Sequence, residues 1–167
     1  MKVQVCITIT LLSTAFFVVN GQPKNIAVEK IDGPKLEKLL SNRNGKVLFI
    51  NLWATWCIPC REEFPWIIKL VKEFKDKPIE FYGISTDYPD EVGSKIIPFL
   101  VKQNVNFINF VNGYKEDEDL INAFDKDWNG ALPATFIFDK YGKKISFLEG
   151  KQSFHKFKRE IEKAMEE

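Results

Sequence analysis

The apolar positions of this chain switch repeatedly between two spacings. In PKLEKLLSNRNG, Leu36, Leu39 and Leu40 recur at the helical period and Gly45 ends the run. KVLFINLW follows, a short unbroken apolar stretch of strand formers, which predicts a buried central strand. EEFPWIIKLVKEF returns to the helical period, with Ile67, Leu70, Val71 and Phe74 on one face. Pro65 falls inside that helix and should kink it. IEFYGIS predicts a second strand. Residues 91–104 read as helix, with Pro98 either kinking it or marking its true start. NFINFV reads as a strand and EDEDLINAFD as a helix. ATFIFD and KISFLEG read as two strands joined by KYGK, a turn containing Gly142. Phe154, Phe157, Ile161 and Ala164 mark one face of a closing helix. Strands alternating with helices predict an α/β fold whose sheet is covered on both faces. The last two strands are joined too tightly to be parallel, so the sheet is mixed.

The opening of the chain has a different pattern. Lys2 precedes an apolar run from Val3 to Val19 that ends in Asn20 and Gly21. This is the pattern of a secretory signal, residues 1–21, cleaved after Gly21. The alternative is an uncleaved membrane anchor, against which stand Gln4, Thr8, Thr10, Ser13 and Thr14 within the run. Cys6 follows VQV, unlike a lipid-attachment site, and should leave with the signal. Residues 22–44 then form a lead with a short helix, and residues 45–167 a single domain.

Composition narrows the class. With 45% apolar and 28% charged residues, the chain is an ordinary globular protein. Loss of Lys2 leaves 23 basic residues (24 less one) against 23 acidic ones. No basic stripe with interleaved aromatics appears, so nucleic acid is not an expected partner. The acidic run Glu116 to Asp119 reads as the solvated first turn of a helix, where negative charge is favoured.

The candidate chemistry lies in NLWATWCIPCREEFP, where Cys57 and Cys60 follow the buried strand directly. A structural disulfide between them would close a loop of about four residues. It would stabilise far less than the ~3 kcal/mol of a 15-residue loop. A zinc site needs four ligands, or three and a water. Beyond these cysteines the mature chain offers only His155, expected to face solvent, so no metal site is predicted. A reactive pair explains the placement better. Cys57 would stand at a helix N-terminus, where free N–H groups and the dipole stabilise a thiolate. Cys60, one turn on, would be the more buried sulfur within its reach. Pro59 suits the first turn, which needs no N–H from it. An exposed low-pKa thiol backed by a resolving thiol is equipped for thiol–disulfide exchange.

WATWCIPCREEFP resembles the active site of thioredoxin-fold proteins, most closely the TlpA/ResA-like thiol–disulfide oxidoreductases, from about Gly45 onward. A second landmark is GALPATFIFD, in which Pro133 matches the cis-proline that faces the cysteines in that family. The resemblance implies a thioredoxin-like fold. It implies Cys57 as nucleophile, Cys60 as resolving thiol, and Glu63 as an acid near the thiols. Trp53 and Trp56 match tryptophans that shape the surrounding surface. Pro59 and Trp56 would border the substrate, and Leu132, ahead of Pro133, would offer its backbone to an extended substrate segment. From its position alone, Glu63 reads equally well as a solvated helix carboxylate. Trp128 stands close enough in sequence to reach the rim, although core packing is the commoner use of such a residue. One departure is plain. Asn51 occupies the position, six before Cys57, where thioredoxin carries a buried aspartate for proton transfer. Proton work then falls to Glu63 or to water.

The resemblance further implies an extracytoplasmic, periplasmic-type location and protein disulfides as substrates. Its redox centre is the Cys57–Cys60 pair, with no separate cofactor. Ile58 and Pro59 bring no cation between the cysteines and Glu63 adds negative charge, which favours a reductase over an oxidase. A reductase there needs a membrane thiol donor of electrons. A monomer is expected. Two other readings stay open. A peroxidase of the peroxiredoxin type would require a hydroxyl where Ala54 stands. A non-catalytic binding module would leave the cysteines inert.

Overall fold

β2 (Val47–Trp53) is buried at all seven positions, as an unbroken apolar strand must be if both faces of its sheet are covered. β3 (Ile79–Ser85) pairs with it in parallel, and β5 (Ala134–Phe138) antiparallel on the other side. β4 (Ile108–Asn112) extends the sheet beyond β3, and β6 (Lys144–Glu149) beyond β5. A sixth strand, β1 (Val28–Ile31), lies parallel to β4, so the order is β1-β4-β3-β2-β5-β6. The computed structural model describes residues 26–167; the apolar opening segment, read as a signal, and Cys6 lie outside the described residues.

β1 is not foreseen in the apolar pattern. It has four residues, of which only Ile31 is fully buried, too few to show a period. The lead 22–44 therefore supplies a strand of the central sheet as well as the expected short helix, α1 (Gly33–Ser41).

Alternation along β2 sorts its side chains between two layers. Leu48, Ile50 and Leu52 pack with Leu36 of α1 and with Leu120 and Phe124 of α4 (Asp117–Phe124). Val47 and Phe49 face the opposite layer, against Ile67 and Leu70 of α2 (Ile58–Glu73) and Phe157 and Ile161 of α5 (Phe154–Glu166). The mixed sheet is thus flanked by helices on both faces, in a thioredoxin-like arrangement. Between β3 and β4, a 3₁₀ turn (Pro89–Glu91) and a wide π turn (Val92–Ile96) lead into α3 (Ile97–Lys102). Pro98 marks the start of that helix, where its missing N–H is harmless. Pro65 stays inside α2, so the Arg61 carbonyl lacks its usual backbone donor. Among the described residues no helix is long and apolar enough to cross a membrane.

Trp53, at the end of β2, is wholly buried. Its ring meets Phe64 at 4.7 Å and Phe99 at 5.0 Å between centroids. Its Nε1 donates to Asn109 Oδ1 at 3.1 Å. The reading of Trp53 as a surface-shaping residue is corrected: it is the floor on which the next turn rests. That packing needs a glycine beside it. A Cβ at Gly83 would fall 2.0 Å from Asn109 Oδ1 and 3.1 Å from Trp53 Nε1. Gly83→Ala should therefore destabilise the protein by about 1–3 kcal/mol, the usual cost of overpacking. A urea midpoint equal to that of the parent would contradict this.

Candidate active site

The chain leaves β2 at Trp53 and enters α2 at Ile58, so only four residues, 54–57, make the turn. Asp87, just past β3, holds this turn in place. Its carboxylate accepts from Thr55 N at 2.8 Å, from Thr55 Oγ1 at 2.6 Å and from Ser85 Oγ at 2.6 Å. Thr86 N donates to the Trp53 carbonyl at 2.8 Å. Asp87 is buried, and three donors compensate for the loss of water around its oxygens.

Cys57 is the N-cap of α2 and its Sγ accepts from Cys60 N at 3.3 Å. A sulfur in that position replaces the hydroxyl or carboxylate of an ordinary cap. Cys57 and Cys60 are joined as a disulfide. Cys57 is 5% exposed and Cys60 0%, so of the two residues only Cys57 reaches the surface. Pro59 sits in the first helical turn and, with Ile58 and Trp56, stands in solvent around Cys57.

Glu63 lies one turn beyond Cys60 on the same helix and is fully buried. The solvated alternative is thereby set aside. Its Oε1 accepts from Asn51 Nδ2 at 2.8 Å, and its Oε2 from Gln152 N at 3.0 Å. Asn51 Nδ2 also donates to Thr135 Oγ1 at 3.0 Å. Burial pushes the Glu63 carboxyl up to about 7; the Gln152 N–H, the Asn51 amide and the charge of Lys151 pull the other way without winning. Lys151 is occupied by Glu62, Nζ to Oε2 at 2.6 Å.

The peptide bond between Leu132 and Pro133 is cis. Leu132 packs against the cluster that contains Trp53, Cys57 and Cys60. The Pro133 carbonyl accepts from Gly150 N at 2.8 Å, which ties this corner to the loop that also bonds Glu63. Leu132 and Trp56 together border a cleft of about 480 Å³ that runs on to Tyr88 and Trp128. Trp128 is 3% exposed and donates Nε1 to the Ala131 carbonyl at 3.0 Å, so it both packs the core and lines the cleft. His155 is exposed on α5. Among the described residues no three His, Cys, Asp or Glu side chains are grouped to hold a metal ion.

The structure thus collects Cys57, Cys60, Glu63, Trp56, Pro59, Leu132 and Pro133 at one end of the sheet. Three contributors escaped the sequence reading. Asp87 follows a strand in STD, and a carboxylate at that spot hints at a loop anchor. Thr135 lies within LPATF but has no distinguishing neighbour. Gln152 acts through its backbone N–H, which leaves no mark in a sequence.

A capped disulfide at a helix N-terminus, a buried carboxyl behind it and a proline corner on a thioredoxin-like sheet define a class, the thiol–disulfide oxidoreductases. The comparisons agree with it. The AhpC/TSA family model matches residues 22–145. The thiol–disulfide oxidoreductase ResA of a Bacillus cereus strain is 30% identical over 142 residues, covering 81% of this chain and 72% of that protein. ResA of Bacillus anthracis is 29% identical over 137 residues, with the same coverage. Among solved structures, a thioredoxin-related protein from Neisseria meningitidis serogroup B is 26% identical, with a TM-score of 0.63 over 74% of this chain and 87% of its own. A thiol:disulfide interchange protein from Chlorobium tepidum TLS, 24% identical, shares the fold at a TM-score of 0.62 over 77% of this chain and 83% of its own. The chain belongs to the AhpC/TSA family, alongside the ResA thiol–disulfide oxidoreductases.

The raised Glu63 carboxyl has a consequence for stability. Its ordinary value is 4.5 and its folded value about 7, so the folded state holds a proton that the unfolded state has released. The stabilisation is complete below 4.5 and is lost as pH rises through 7. Across that window the oxidised protein should lose up to about 3 kcal/mol relative to Glu63→Gln. Urea unfolding of both proteins at several pH values reads this directly. Parallel pH dependences would contradict it.

Proposed function

We propose that this protein is an extracytoplasmic reductase of protein disulfides, working through a mixed disulfide on Cys57. The observation that carries the reading is that one sulfur alone meets both needs of a nucleophile. Cys57 can be reached from solvent, and it sits where a helix N-terminus stabilises its thiolate.

In the reduced protein the Cys57 thiolate attacks one sulfur of the substrate disulfide. That S–S bond breaks, the other substrate sulfur leaves as a thiolate, and it takes a proton from water. The Cys60 thiol then gives its proton to the Glu63 carboxylate, one turn away. The Cys60 thiolate attacks Cys57 Sγ, and the second substrate thiolate departs. Two electrons have passed to the substrate, and the Cys57–Cys60 disulfide remains. A carboxyl near 7 is ionised often enough to accept that proton and weak enough as an acid to hold it.

Around the sulfurs, Trp56 and Pro59 border the substrate, and the Leu132–Pro133 corner receives its extended backbone. No cation stands between the cysteines to favour an oxidant, and Glu63 opposes further thiolate charge nearby. Turnover then needs a dithiol donor at the membrane, and no cofactor beyond the dithiol itself. The apolar segment 1–21 supports export, and the protein acts as a monomer. A peroxidase is the reading that the wider family raises. It lacks support at Ala54, which is buried and brings no hydroxyl to the turn before Cys57.

The test has two parts. Insulin reduction should be lost in Cys57→Ser, whereas Cys60→Ser should accumulate a mixed disulfide with the substrate. The reduction potential of the pair should lie below about −220 mV; a value near −120 mV would make the protein an oxidant. Wild-type peroxide consumption that disappears in Cys57→Ser, without any disulfide reduction, would overturn the reading.

A further inference from the structure

Asn51 is 1% exposed, and one end of its amide is fully used. Nδ2 donates to Glu63 Oε1 and to Thr135 Oγ1. The other end, Oδ1, is buried with no donor. A buried acceptor left unpaired is costly, so a group that supplies a hydrogen-bond donor to it is favoured. Asn51 lies beneath the first turns of α2, as its bond to Glu63 requires. Cys60, also fully buried, precedes Glu63 by one turn on that helix. While the disulfide is closed, Cys60 has no proton to give. Reduction gives it one.

We propose that Asn51 Oδ1 is the acceptor for the Cys60 thiol in the reduced protein, directly or across a single water. Asn51 is then a positioning residue that uses both ends of its amide. Nδ2 fixes the carboxylate that will take the proton, and Oδ1 holds the thiol that will give it. The amide cannot titrate, so it sets the two groups side by side without entering the transfer. This distinguishes the site from one with an aspartate at the same position, which would accept from the thiol but repel Glu63. The hydrogen bond also favours the neutral thiol, which keeps Cys60 protonated until Cys57 has captured a substrate. The charged groups on the surrounding elements are Glu62 and Glu63 on α2, Lys151 of the β6–α5 loop, which pairs with Glu62, and Asp87 behind Thr55. None of them bonds to Oδ1.

The inference rests on Cys60 as the resolving thiol, and its test separates the two. In full-length Cys57→Ser, the Cys60 S–H stretch should appear at lower frequency than that of an unbonded thiol. In Cys57→Ser/Asn51→Ala that band should move back up, the contribution of Cys6 cancelling in the difference. In Cys57 proteins carrying Glu63→Gln, Asn51→Ala should lower the apparent pKa for release of a chromogenic thiol from a Cys57 mixed disulfide, with about a threefold or larger change in proton affinity. An unbonded S–H band in Cys57→Ser overturns the proposal even if Asn51→Ala fails to fold. So does an unchanged release profile in the folded variant. Failure of thiol release altogether would instead overturn the resolving role of Cys60.

Discussion

A strand buried along its whole length ends where a helix begins, and the rest of the site depends on that junction. β2 has no freedom to slide, because a shift of one residue would turn its apolar side chains out of their layers. Its last residue, Trp53, is locked between Phe64 and Phe99 and pinned to Asn109. The chain then has four residues in which to reach α2, and Asp87 holds the backbone of Thr55 between them. Cys57 is delivered to the helix N-terminus by packing in the core. The reactivity proposed for that sulfur follows from where the strand stops.

Burial sets the charge on the second feature of the site. A carboxylate without water is costly, and the two hydrogen bonds to Glu63 repay only part of that cost. The group therefore prefers to be neutral until near pH 7. A group of that kind costs the folded protein stability as pH rises toward 7, and in the proposed cycle it takes a proton from a thiol. Its partners come from β2 and the β6–α5 loop, which also bonds the Pro133 carbonyl. The proline corner and the buried carboxyl are in this way held by one loop.

The strongly periodic parts of this fold were legible in the sequence. KVLFINLW, IEFYGIS, ATFIFD and the face through Phe154 and Phe157 carry enough buried positions to declare their type. β1 was not legible, because an edge strand with one buried side chain has no period. The cysteines were legible from their spacing and from the strand before them. The depth of Glu63 was not. Sequence position puts it on α2, but only the crossing of β2 beneath the helix shows that it faces inward to Asn51. Trp53 was misjudged for a related reason: two tryptophans three apart look alike in the motif. The first ends a strand inside the core and the second stands in solvent, 66% exposed.

The central claim is that the junction of β2 and α2 makes Cys57 a poised thiolate. The rate of iodoacetamide alkylation at Cys57 in the reduced protein, followed against pH on the peptide that contains it, tests this most directly. The account predicts a midpoint at least one unit below the ~8.5 of a free cysteine. A midpoint at that ordinary value, with an ordinary limiting rate, would contradict it.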